Sequence, residues 1–440
     1  MQICLYDPQH GYYSRNAEQF GKAGDFYTSS DIHAVFGRLM ARQFEEIWRA
    51  FDRPQKIEIL ELGPGRGLFA CDVLDWSKKK FPDFFTALTY TLEESSPALK
   101  NKLKETLTNH LSNSKAKIKT TVKAGIDTDA RVNARAGSDT DGNPRVRAVI
   151  DADSDTKDKV GADTDARADT RAETRVPKER PTLAQRGSAG TTPAQNEVPE
   201  GRPTVPPNIP DAAIPRIVFA NEFFDALPVE ILSLRGKLHL GLQKNRLAEI
   251  WLKPQPEELE FLDRYGIHPD KNERIEVPLR AQNVIREIAD DITRGLIIAI
   301  DYGYTREQQL AGRHHGTLMT YRNHSASPDP YQAPGEQDIT SHVNFTALAA
   351  ACDSSGMQCQ SLLTQSQFLM GIGEINEFAD VFEECHLPQE RAKRALQLKH
   401  LISPEGMGET FQMLVASRNL DPSKLMSLGG LTFAHAARVG

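Results

Sequence analysis

The chain is poor in cysteine and carries no recognisable metal-binding pattern. Only five of its 440 residues are cysteine, and no two of them are spaced as a CxxC pair. They are Cys4, Cys71, Cys352, Cys359 and Cys385. An odd and sparse set of this kind is typical of free thiols in a reducing compartment. We therefore expect no disulfide framework and predict no metal site.

Long apolar runs and an excess of basic residues are also absent. No stretch is apolar for the roughly 20 residues that a membrane-spanning helix needs, and the N-terminus lacks a basic segment followed by an apolar one. The net charge is −7 and the pI about 6.0, whereas nucleic-acid-binding domains are usually basic. These features predict a cytoplasmic protein that neither inserts into a membrane nor binds nucleic acid.

Apolar periodicity is missing from residues 123–214, where the acidic unit DTDAR occurs twice. An EF-hand calcium loop starting at Asp151 would need glycine at its sixth position and glutamate at its twelfth, where Thr156 and Ala162 stand. Because so polar a stretch buries too little apolar surface to fold, we predict a disordered insertion. The predicted organisation is 1–122 for the N-terminal cap and first half of the cofactor domain, 123–214 for the insertion and 215–440 for the second half.

Outside the insertion, strand and helix patterns alternate. Residues 57–62 form an apolar strand that ends in glycines, 68–80 have helical spacing, and 88–94 form a second strand. After the insertion, 216–220 and 296–300 are again buried-strand patterns. This alternation predicts an α/β fold with a parallel sheet. A polar loop region at 304–340, helices at about 343–354 and 372–399, and a last strand at about 410–416 complete the prediction.

The strongest local motif is the glycine-rich turn after the first strand, IEILELGPGRG at 57–67. Gly63, Gly65 and Gly67 let a ligand approach the backbone at the carboxyl edge of the sheet. Their spacing differs from the G-x-G-x-x-G of dinucleotide-binding turns, and the carboxylate of Glu61 would repel a phosphate. The spacing therefore argues against a dinucleotide, and the acidic residue favours a cationic ligand such as S-adenosylmethionine. The alternative is a plain tight turn in an α/β protein.

Acidic residues also follow the second strand. Glu94 stands where a Rossmann-like unit places the carboxylate that binds the ribose hydroxyls of adenosine. The alternative is a charge at a helix N-terminus, since Ser96 and Pro97 are typical of a helix start. Nicotinamide-dependent enzymes share this acid, so Glu94 supports an adenosine ligand without deciding its class.

Polar residues follow the two strands after the insertion as well. Asn221, Glu222 and Asp225 come after the first of them, and Asp301 comes after the second. Because the carboxyl ends of parallel strands meet at one edge of a sheet, these side chains are expected to line one crevice. We predict Asn221 as a cofactor contact and the three acids as the catalytic group. The alternative is a helix start capped by Asn221 or Asp225.

Eight blocks of sequence, read in order, resemble the MidA family. They are LYDPQHGYY, FGKAGDFYTSSDIHAVFGRLMA, ILELGPGRG, ANEFFDALPVE, IAIDYGY, GTLMTYRNH, PGEQDITSHVNFTALA and TQSQFLMGIG, and they extend to about residue 373. The resemblance implies a class I methyltransferase with a Rossmann-like seven-stranded sheet, extra helical and loop elements, and S-adenosylmethionine as cofactor. Because that family includes a mitochondrial protein-arginine methyltransferase of complex I assembly, it also implies a protein acceptor, with arginine as the candidate side chain.

The chain departs from the family pattern at two points. The family has a short helical segment before the position of Leu5, so this N-terminus is expected to be truncated or to start at a downstream methionine. The insertion falls where the third strand of the sheet belongs, and residues 117–122 are the candidate for that strand.

The resemblance also implies two elements around the cofactor. Asp25, Thr28 and Ser29 belong to a loop expected to fold over it, where the two hydroxyls suit a carboxylate and Asp25 suits an ammonium group. The alternative for this loop is capping of the helix that follows. Residues 338–345 resemble a pocket wall, in which His342 is expected to be structural rather than a base.

Methyl transfer from a sulfonium needs alignment of the reacting atoms more than covalent chemistry. A guanidinium group is planar and pairs with carboxylates through two hydrogen bonds. Glu222 and Asp225, with Asp301 behind them, are therefore predicted to hold an arginine near the methyl group. The alternatives are a non-catalytic assembly factor for a respiratory complex, a small-molecule methyltransferase and a nicotinamide-dependent oxidoreductase. A homodimer is the candidate assembly.

Overall fold

The computed structural model describes residues 1–7, 9–14, 34–119, 213–243, 246–312, 316–322 and 325–434, together with two short strand segments between 119 and 213. Residues 1–148 and 211–440 form one compact unit, and residues 149–210 lie outside the described part of the chain. Within the described residues, no helix is both long enough and apolar enough to cross a membrane.

Among the described residues, the helices vary widely in length, and the longest is the one before the first strand. The α-helices are α1 (Gln2–Tyr6), α2 (Ala34–Ala50), α3 (Leu68–Lys80), α4 (Pro82–Ala87), α5 (Pro97–Thr106), α6 (Thr108–Ser112), α7 (Pro256–Tyr265), α8 (Leu279–Asp290), α9 (Arg306–Leu310), α10 (Phe345–Ser354), α11 (Gln365–Glu374), α12 (Ala379–Phe382), α13 (Pro388–Ile402) and α14 (Pro422–Met426). Two 3₁₀ helices span Tyr12–Ser14 and Gly429–Ala434.

The strands fall into one large sheet and three small ones. They are β1 (Ile57–Leu62), β2 (Leu88–Glu93), β3 (Ala116–Lys119), β4 (Gly137–Ser138), β5 (Pro144–Arg145), β6 (Arg216–Asn221), β7 (Glu230–Ser233), β8 (Gly236–Gln243), β9 (Arg246–Leu252), β10 (Ile275–Val277), β11 (Gly295–Tyr304), β12 (Met319–Arg322), β13 (Ser325–Ser327), β14 (Asp338–Thr340), β15 (Val343–Asn344), β16 (Gln358–Cys359), β17 (Leu363–Thr364) and β18 (Phe411–Arg418).

The large sheet has the strand order β16–β18–β11–β6–β1–β2–β3, which is seven positions. β1 is parallel to β2 and β6, and β11 is parallel to β6. β18 runs antiparallel to β11, and both β16 and β17 pair antiparallel with β18, so the edge position consists of two short pieces. The predicted α/β fold with a seven-stranded, Rossmann-like sheet is therefore confirmed.

Apolar side chains cover both faces of this sheet. In β1, Ile57 and Ile59 belong to one buried cluster together with residues of α2 and α3. Leu60 and Leu62 belong to a second cluster, with residues of α8 and α10. A strand that is buried on both faces reads as a continuous apolar run, which is why the sequence pattern located it.

The third strand lies where the chain leaves the described region. β3 pairs parallel with β2 from Ala116 to Lys119, so the strand predicted at 117–122 is present at its first residues. Between 119 and 213, β4 and β5 pair with each other, and the rest of the predicted disordered insertion lies outside the described residues. The division of the chain at 122 and 214 stays a prediction.

The predicted polar loop at 304–340 was wrong in part. α9 lies within it, and β12 pairs with β13 and β14 in a small antiparallel sheet. These strands are only three or four residues long and rich in Ser, Thr and Asp, so they lack the apolar alternation that reveals a strand. A second small sheet has the strand order β10–β7–β8–β9.

The long helix predicted at 372–399 was also wrong, because it is three helices, α11, α12 and α13. Glu377 and Phe378 have φ angles of 52° and 58°, and two consecutive left-handed residues interrupt a right-handed helix. Pro388 then occupies the first turn of α13, where its missing N–H costs nothing.

Candidate active site

The predicted site residues follow four neighbouring parallel strands. β2, β1, β6 and β11 lie side by side and end at one edge of the large sheet. Glu94 follows β2, the glycine turn follows β1 and the segment after Asn221 follows β6. Asp301 lies within β11, directly after Ile300, the last residue that pairs with β6. We call them together the acidic edge. The structure thus brings the described members of the predicted set to one place.

The glycine turn needs glycine for conformational reasons. Gly63, Gly65 and Gly67 have φ angles of 61°, 54° and 77°, a region that L-residues with a side chain seldom adopt. A Cβ atom on Gly67 would lie 2.6 Å from Leu103 Cδ2, and one on Gly63 would lie 3.0 Å from Phe223 Cδ2. The turn therefore packs against α5 and against the segment after β6.

Replacing Gly67 with alanine is expected to lower the free energy of unfolding more than the same change at Gly356. Both residues have a φ near 78°, at 77° and 79°, so both variants carry the left-handed strain of about 1 to 2 kcal/mol. Only Gly67→Ala also displaces Leu103, which adds roughly 1 kcal/mol or more. Urea unfolding followed by circular dichroism measures both losses. Equal losses would show that the contact with α5 is unimportant.

Glu61, the last but one residue of β1, is a buried acid that is hydrogen-bonded to a tyrosine. The hydroxyl of Tyr90 donates a hydrogen bond of 2.9 Å to Glu61 Oε2. The pKa of Glu61 is raised to about 8. Burial and, less strongly, the nearby Glu94 raise it, while the hydrogen bond from Tyr90 opposes the rise. A cation placed beside this group would favour its ionised form.

Glu94 joins the end of β2 to the glycine turn. Its Oε1 accepts a hydrogen bond of 2.8 Å from the amide of Ser96, and the amides of Ser95 and Gly65 also interact with its carboxylate. Burial raises the pKa of Glu94 to about 7, a net value that already includes the opposing effect of these amides and of Lys100. Ser96 caps α5 through the amide of Leu99, so the predicted helix start and the predicted acid are both present.

Asn221 and Glu222 form a strained corner after β6. Glu222 has a φ of 50°, and its amide donates a hydrogen bond of 2.9 Å to the carbonyl of Ile300. Asn221 Nδ2 donates a hydrogen bond of 3.2 Å to Glu222 Oε1. Left-handed conformations of residues other than glycine cluster at functional sites, where the surrounding structure enforces them.

Asp301 holds this corner from the neighbouring strand. Its side chain is fully buried, and Oδ2 accepts the amides of Phe223, Phe224 and Asp225 at 3.0 to 3.3 Å. Burial, followed by the carboxylates of Asp225 and Glu222, raises the pKa of Asp301 well above its usual range. These contacts give Asp301 a positioning role for the segment that carries Asp225.

Asp225 carries a buried carboxyl group that contacts Tyr302. Tyr302 donates a short hydrogen bond from its hydroxyl to Asp225 Oδ2. Burial raises the pKa of Asp225 to about 6, a net value that already includes the opposing effect of the hydrogen bond from Tyr302. Oδ1 of Asp225 is buried and has no hydrogen-bond partner in the described part of the chain.

The N-terminal segment adds residues that the sequence analysis did not assign to the site. Tyr6 donates from its hydroxyl to the carbonyl of Ala226 at 3.0 Å, and Tyr13 donates to Asp338 Oδ1 at 2.8 Å. Burial raises the pKa of Tyr6 well above its usual range, and Asp338, Asp225 and Glu94 raise it further. Both tyrosines belong to the block LYDPQHGYY, which was a family signal but gave no indication of a role.

His342 packs against Tyr302 of the same group of residues. Its ring packs edge-on against Tyr302, with centroids 5.3 Å apart, and its amide donates a hydrogen bond to Thr317 Oγ1. The structural role of His342 stays a prediction. The predicted cofactor loop with Asp25, Thr28 and Ser29 lies outside the described residues.

Two buried oxygen atoms test whether this edge fits the cofactor. Asn221 Oδ1 and Asp225 Oδ1 have no hydrogen-bond partner among the residues that the structure describes. Buried polar atoms are rarely left without one, so hydrogen-bond donors of bound ligands, the cofactor at Asn221 and a second ligand at Asp225, would satisfy them. The hydrogen bonds to Glu61, Glu94 and Asp225 come from tyrosine hydroxyls and backbone amides. The carboxylates and the amide oxygen at this edge accept hydrogen bonds and favour positive charge. They therefore fit a cationic adenosine cofactor such as S-adenosylmethionine.

Comparison with known proteins gives the same result. The family model "Putative S-adenosyl-L-methionine-dependent methyltransferase" matches residues 39–132 and 182–363, more than half of the chain. The protein arginine methyltransferase NDUFAF7, mitochondrial, of Danio rerio is 24% identical, with 98% of this chain and 87% of that protein covered. Its Homo sapiens counterpart is 23% identical, with 93% and 77% covered.

One solved structure has the same fold over nearly the whole chain. It is a COG1565 superfamily member from Burkholderia thailandensis, crystallised with S-adenosyl-homocysteine bound. The TM-score is 0.64 at 21% identity, and the match covers 98% of this chain and 88% of that chain. The seven-position sheet and its acidic edge are thus embedded in a fold that other chains share.

Proposed function

Because the chain belongs to this family of S-adenosyl-L-methionine-dependent methyltransferases, we propose that it transfers the methyl group of the cofactor to an arginine side chain of a protein. Cofactor and reaction type follow from the family. The acceptor is supported by the names of the relatives, which are protein arginine methyltransferases, and by the acids of the acidic edge.

We assign the cofactor to the β1 and β2 side of the acidic edge. Glu94 would accept hydrogen bonds from the ribose hydroxyls, and the glycine turn would pass close to the ligand. Glu61 and Asn221 would face the positively charged part of the cofactor. The predicted loop with Asp25, Thr28 and Ser29 remains part of this proposal. The cofactor supplies an electrophilic methyl group on a sulfonium, and these residues bind and orient it.

One observation carries the choice of acceptor, namely the state of Asp225. Its carboxyl group is buried, and Oδ2 accepts a hydrogen bond from Tyr302. Oδ1 has no hydrogen-bond partner among the described residues, although the amides of Ala226 and of Asp225 itself interact with the carboxylate. A guanidinium group is planar and cationic, so it can donate to such an oxygen while its charge favours the ionised acid. Glu222 stands three residues earlier on the same segment and would provide a second carboxylate.

The chain's contribution to the reaction is alignment and proton handling. Asp225 and Glu222 would hold one guanidinium nitrogen toward the methyl group and limit its rotation, which supplies most of the advantage of a bound reaction. Transfer would form the nitrogen–methyl bond as the sulfur–methyl bond breaks. The methylated guanidinium would then carry an extra positive charge until the nitrogen loses a proton. Asp225, with a pKa of about 6, is ionised at neutral pH and can accept that proton.

The N-terminal tyrosines would complete the acceptor side. Tyr6 and Tyr13 interact electrostatically with Asp225 and Asp338, and their rings lie 5.5 Å apart. Aromatic faces attract guanidinium groups. We propose that α1 and the 3₁₀ helix after it select a planar cation at this position.

Transfer of tritium from S-adenosyl-[methyl-³H]methionine tests the proposed function. The full chain is incubated with the labelled cofactor and a protein extract of its own cells, and labelled protein is hydrolysed to amino acids. We expect the label in methylated arginine. Label in another amino acid would contradict the acceptor, and label confined to small molecules would identify a small-molecule methyltransferase. Cofactor binding without any transfer would favour the non-catalytic assembly factor.

The remaining predictions on partners and location stay proposals. A protein partner is expected as the methyl acceptor, while the homodimer, the absence of nucleic-acid binding and the cytoplasmic location rest on the sequence arguments alone. The relatives named above are mitochondrial proteins. Size-exclusion chromatography with light scattering would determine the oligomeric state.

A further inference from the structure

A cysteine, an aspartate and a histidine meet between two helices, apart from the acidic edge. Cys71 and Asp75 lie on α3, and His110 lies on α6. Cys71 Sγ is 3.6 Å from Asp75 Oδ2, and His110 Nε2 is 2.9 Å from Asp75 Oδ1. One ligand atom of each residue lies within 4.8 Å of the other two. We call these three residues the Cys–Asp–His cluster.

The three side chains are of the types that bind zinc. Thiolate, carboxylate and imidazole all coordinate Zn²⁺ at about 2.0 to 2.3 Å in tetrahedral sites. At such bond lengths the ligand atoms of one ion stand roughly 3.5 Å apart. The sulfur–oxygen distance of 3.6 Å matches this value, whereas the histidine nitrogen would have to move away from the oxygen that it contacts at 2.9 Å. Calcium and magnesium prefer an all-oxygen shell, so a cysteine and a histidine select a softer metal.

The backbone already holds the three ligands near that arrangement. Cys71 and Asp75 are four residues apart on one helix, which places them on the same face. The side chain of His110 is only 8% exposed, and its ring packs near Phe85, so its orientation is constrained. The side chain of Asp75 is 66% exposed, which leaves solvent access for the ion and for a water molecule as fourth ligand.

We propose that the Cys–Asp–His cluster binds one zinc ion, with water as the fourth ligand. The ion would join α3, which begins directly after the glycine turn, to α6. Asp75 and His110 are 35 residues apart, so no local spacing in the sequence could reveal the set. The sequence-based prediction of no metal site considered only such spacings.

Competition with a chromophoric chelator measures zinc binding to the metal-free full chain. We expect one Zn²⁺ per chain, with the affinity lowered about tenfold or more in Cys71→Ser, in His110→Ala and in Asp75→Asn. Asp75→Asn is the variant least able to disturb folding, because its side chain is largely exposed. Cobalt(II) gives a second readout, since a thiolate–cobalt charge-transfer band should appear in the unaltered chain and vanish in Cys71→Ser.

The chain offers a matched control in an exposed pair without a cysteine. His268 Nε2 lies 2.7 Å from Asp263 Oδ1, so this pair has the same hydrogen bond as His110 and Asp75. His268→Ala should leave the zinc affinity unchanged. Zinc should also raise the unfolding temperature of the unaltered chain and of His268→Ala, but not that of Cys71→Ser. Absence of zinc binding, or an affinity in Cys71→Ser and Asp75→Asn equal to that of the unaltered chain, would overturn the proposal.

Discussion

Replacing Asp225 with asparagine is expected to lower the rate of methyl transfer by about 100-fold or more, the usual effect of removing a proton acceptor from a reacting group. Asparagine has nearly the same shape and can still accept the hydrogen bond from Tyr302. It carries no negative charge for a guanidinium group and cannot take up the proton that leaves the nitrogen. Single-turnover transfer of tritium to protein measures the loss.

The expected signature is a loss of transfer with cofactor binding retained. Asp225 is assigned to the acceptor side, so the dissociation constant for S-adenosylmethionine should change by less than about threefold, below 1 kcal/mol. Asp290→Asn, an exposed change at the end of α8, is the control and should transfer at the normal rate. A normal rate in Asp225→Asn would remove this residue from the catalytic group.

Replacing Glu94 with glutamine is expected to weaken the binding of S-adenosylmethionine by roughly 30- to 150-fold, which corresponds to 2 to 3 kcal/mol for lost hydrogen bonds to a charged acceptor. The carboxylate of Glu94 is held by the amides of Ser95, Ser96 and Gly65, so it is fixed where β2 meets the glycine turn. Glutamine has only one acceptor oxygen in its side chain. Its NH₂ group would face either the backbone amides or the ribose hydroxyls, and one set of hydrogen bonds would be lost.

Glu93 provides the matched control for this change. It is the neighbouring residue and is also buried, but it forms an ion pair with Lys119 of β3 and lies next to Leu60 and Leu62. Because successive strand residues point to opposite faces, Glu93→Gln should leave cofactor affinity nearly unchanged. Titration calorimetry compares the two variants. If both bind the cofactor alike, Glu94 does not contact the adenosine.

The sequence predicted the elements whose side chains alternate or repeat in a simple way. β1, β2, β6 and the core of β11 are buried apolar strands, and the segments that follow them carry the acids of the acidic edge. Topology explains this success, since parallel strands joined by crossovers must end together at one edge. That Glu94 lies beside the glycine turn followed from this rule.

Contacts between distant parts of the chain could not be predicted in this way. Tyr13 and Asp338 are 325 residues apart and Tyr6 and Ala226 are 220 apart, yet both pairs form hydrogen bonds at the site. The positioning role of Asp301 was also hidden, because it depends on which backbone amides fold beneath its side chain. A sequence pattern records residue types and spacings, whereas these contacts depend on how loops pack.

Titration of the unaltered chain with S-adenosylmethionine between pH 6 and 7.5 tests the account most directly. The pKa of Glu94 is about 7 without ligand, and a bound cofactor favours the ionised form, so binding must release a proton. Affinity should therefore rise at least five- to tenfold over this range, because ionisation of Glu61, whose pKa is about 8, adds to the rise from Glu94. The binding heat should depend on the buffer, and NAD should not bind. An affinity that is constant or falls with pH, or NAD binding of equal strength, would contradict the proposed site.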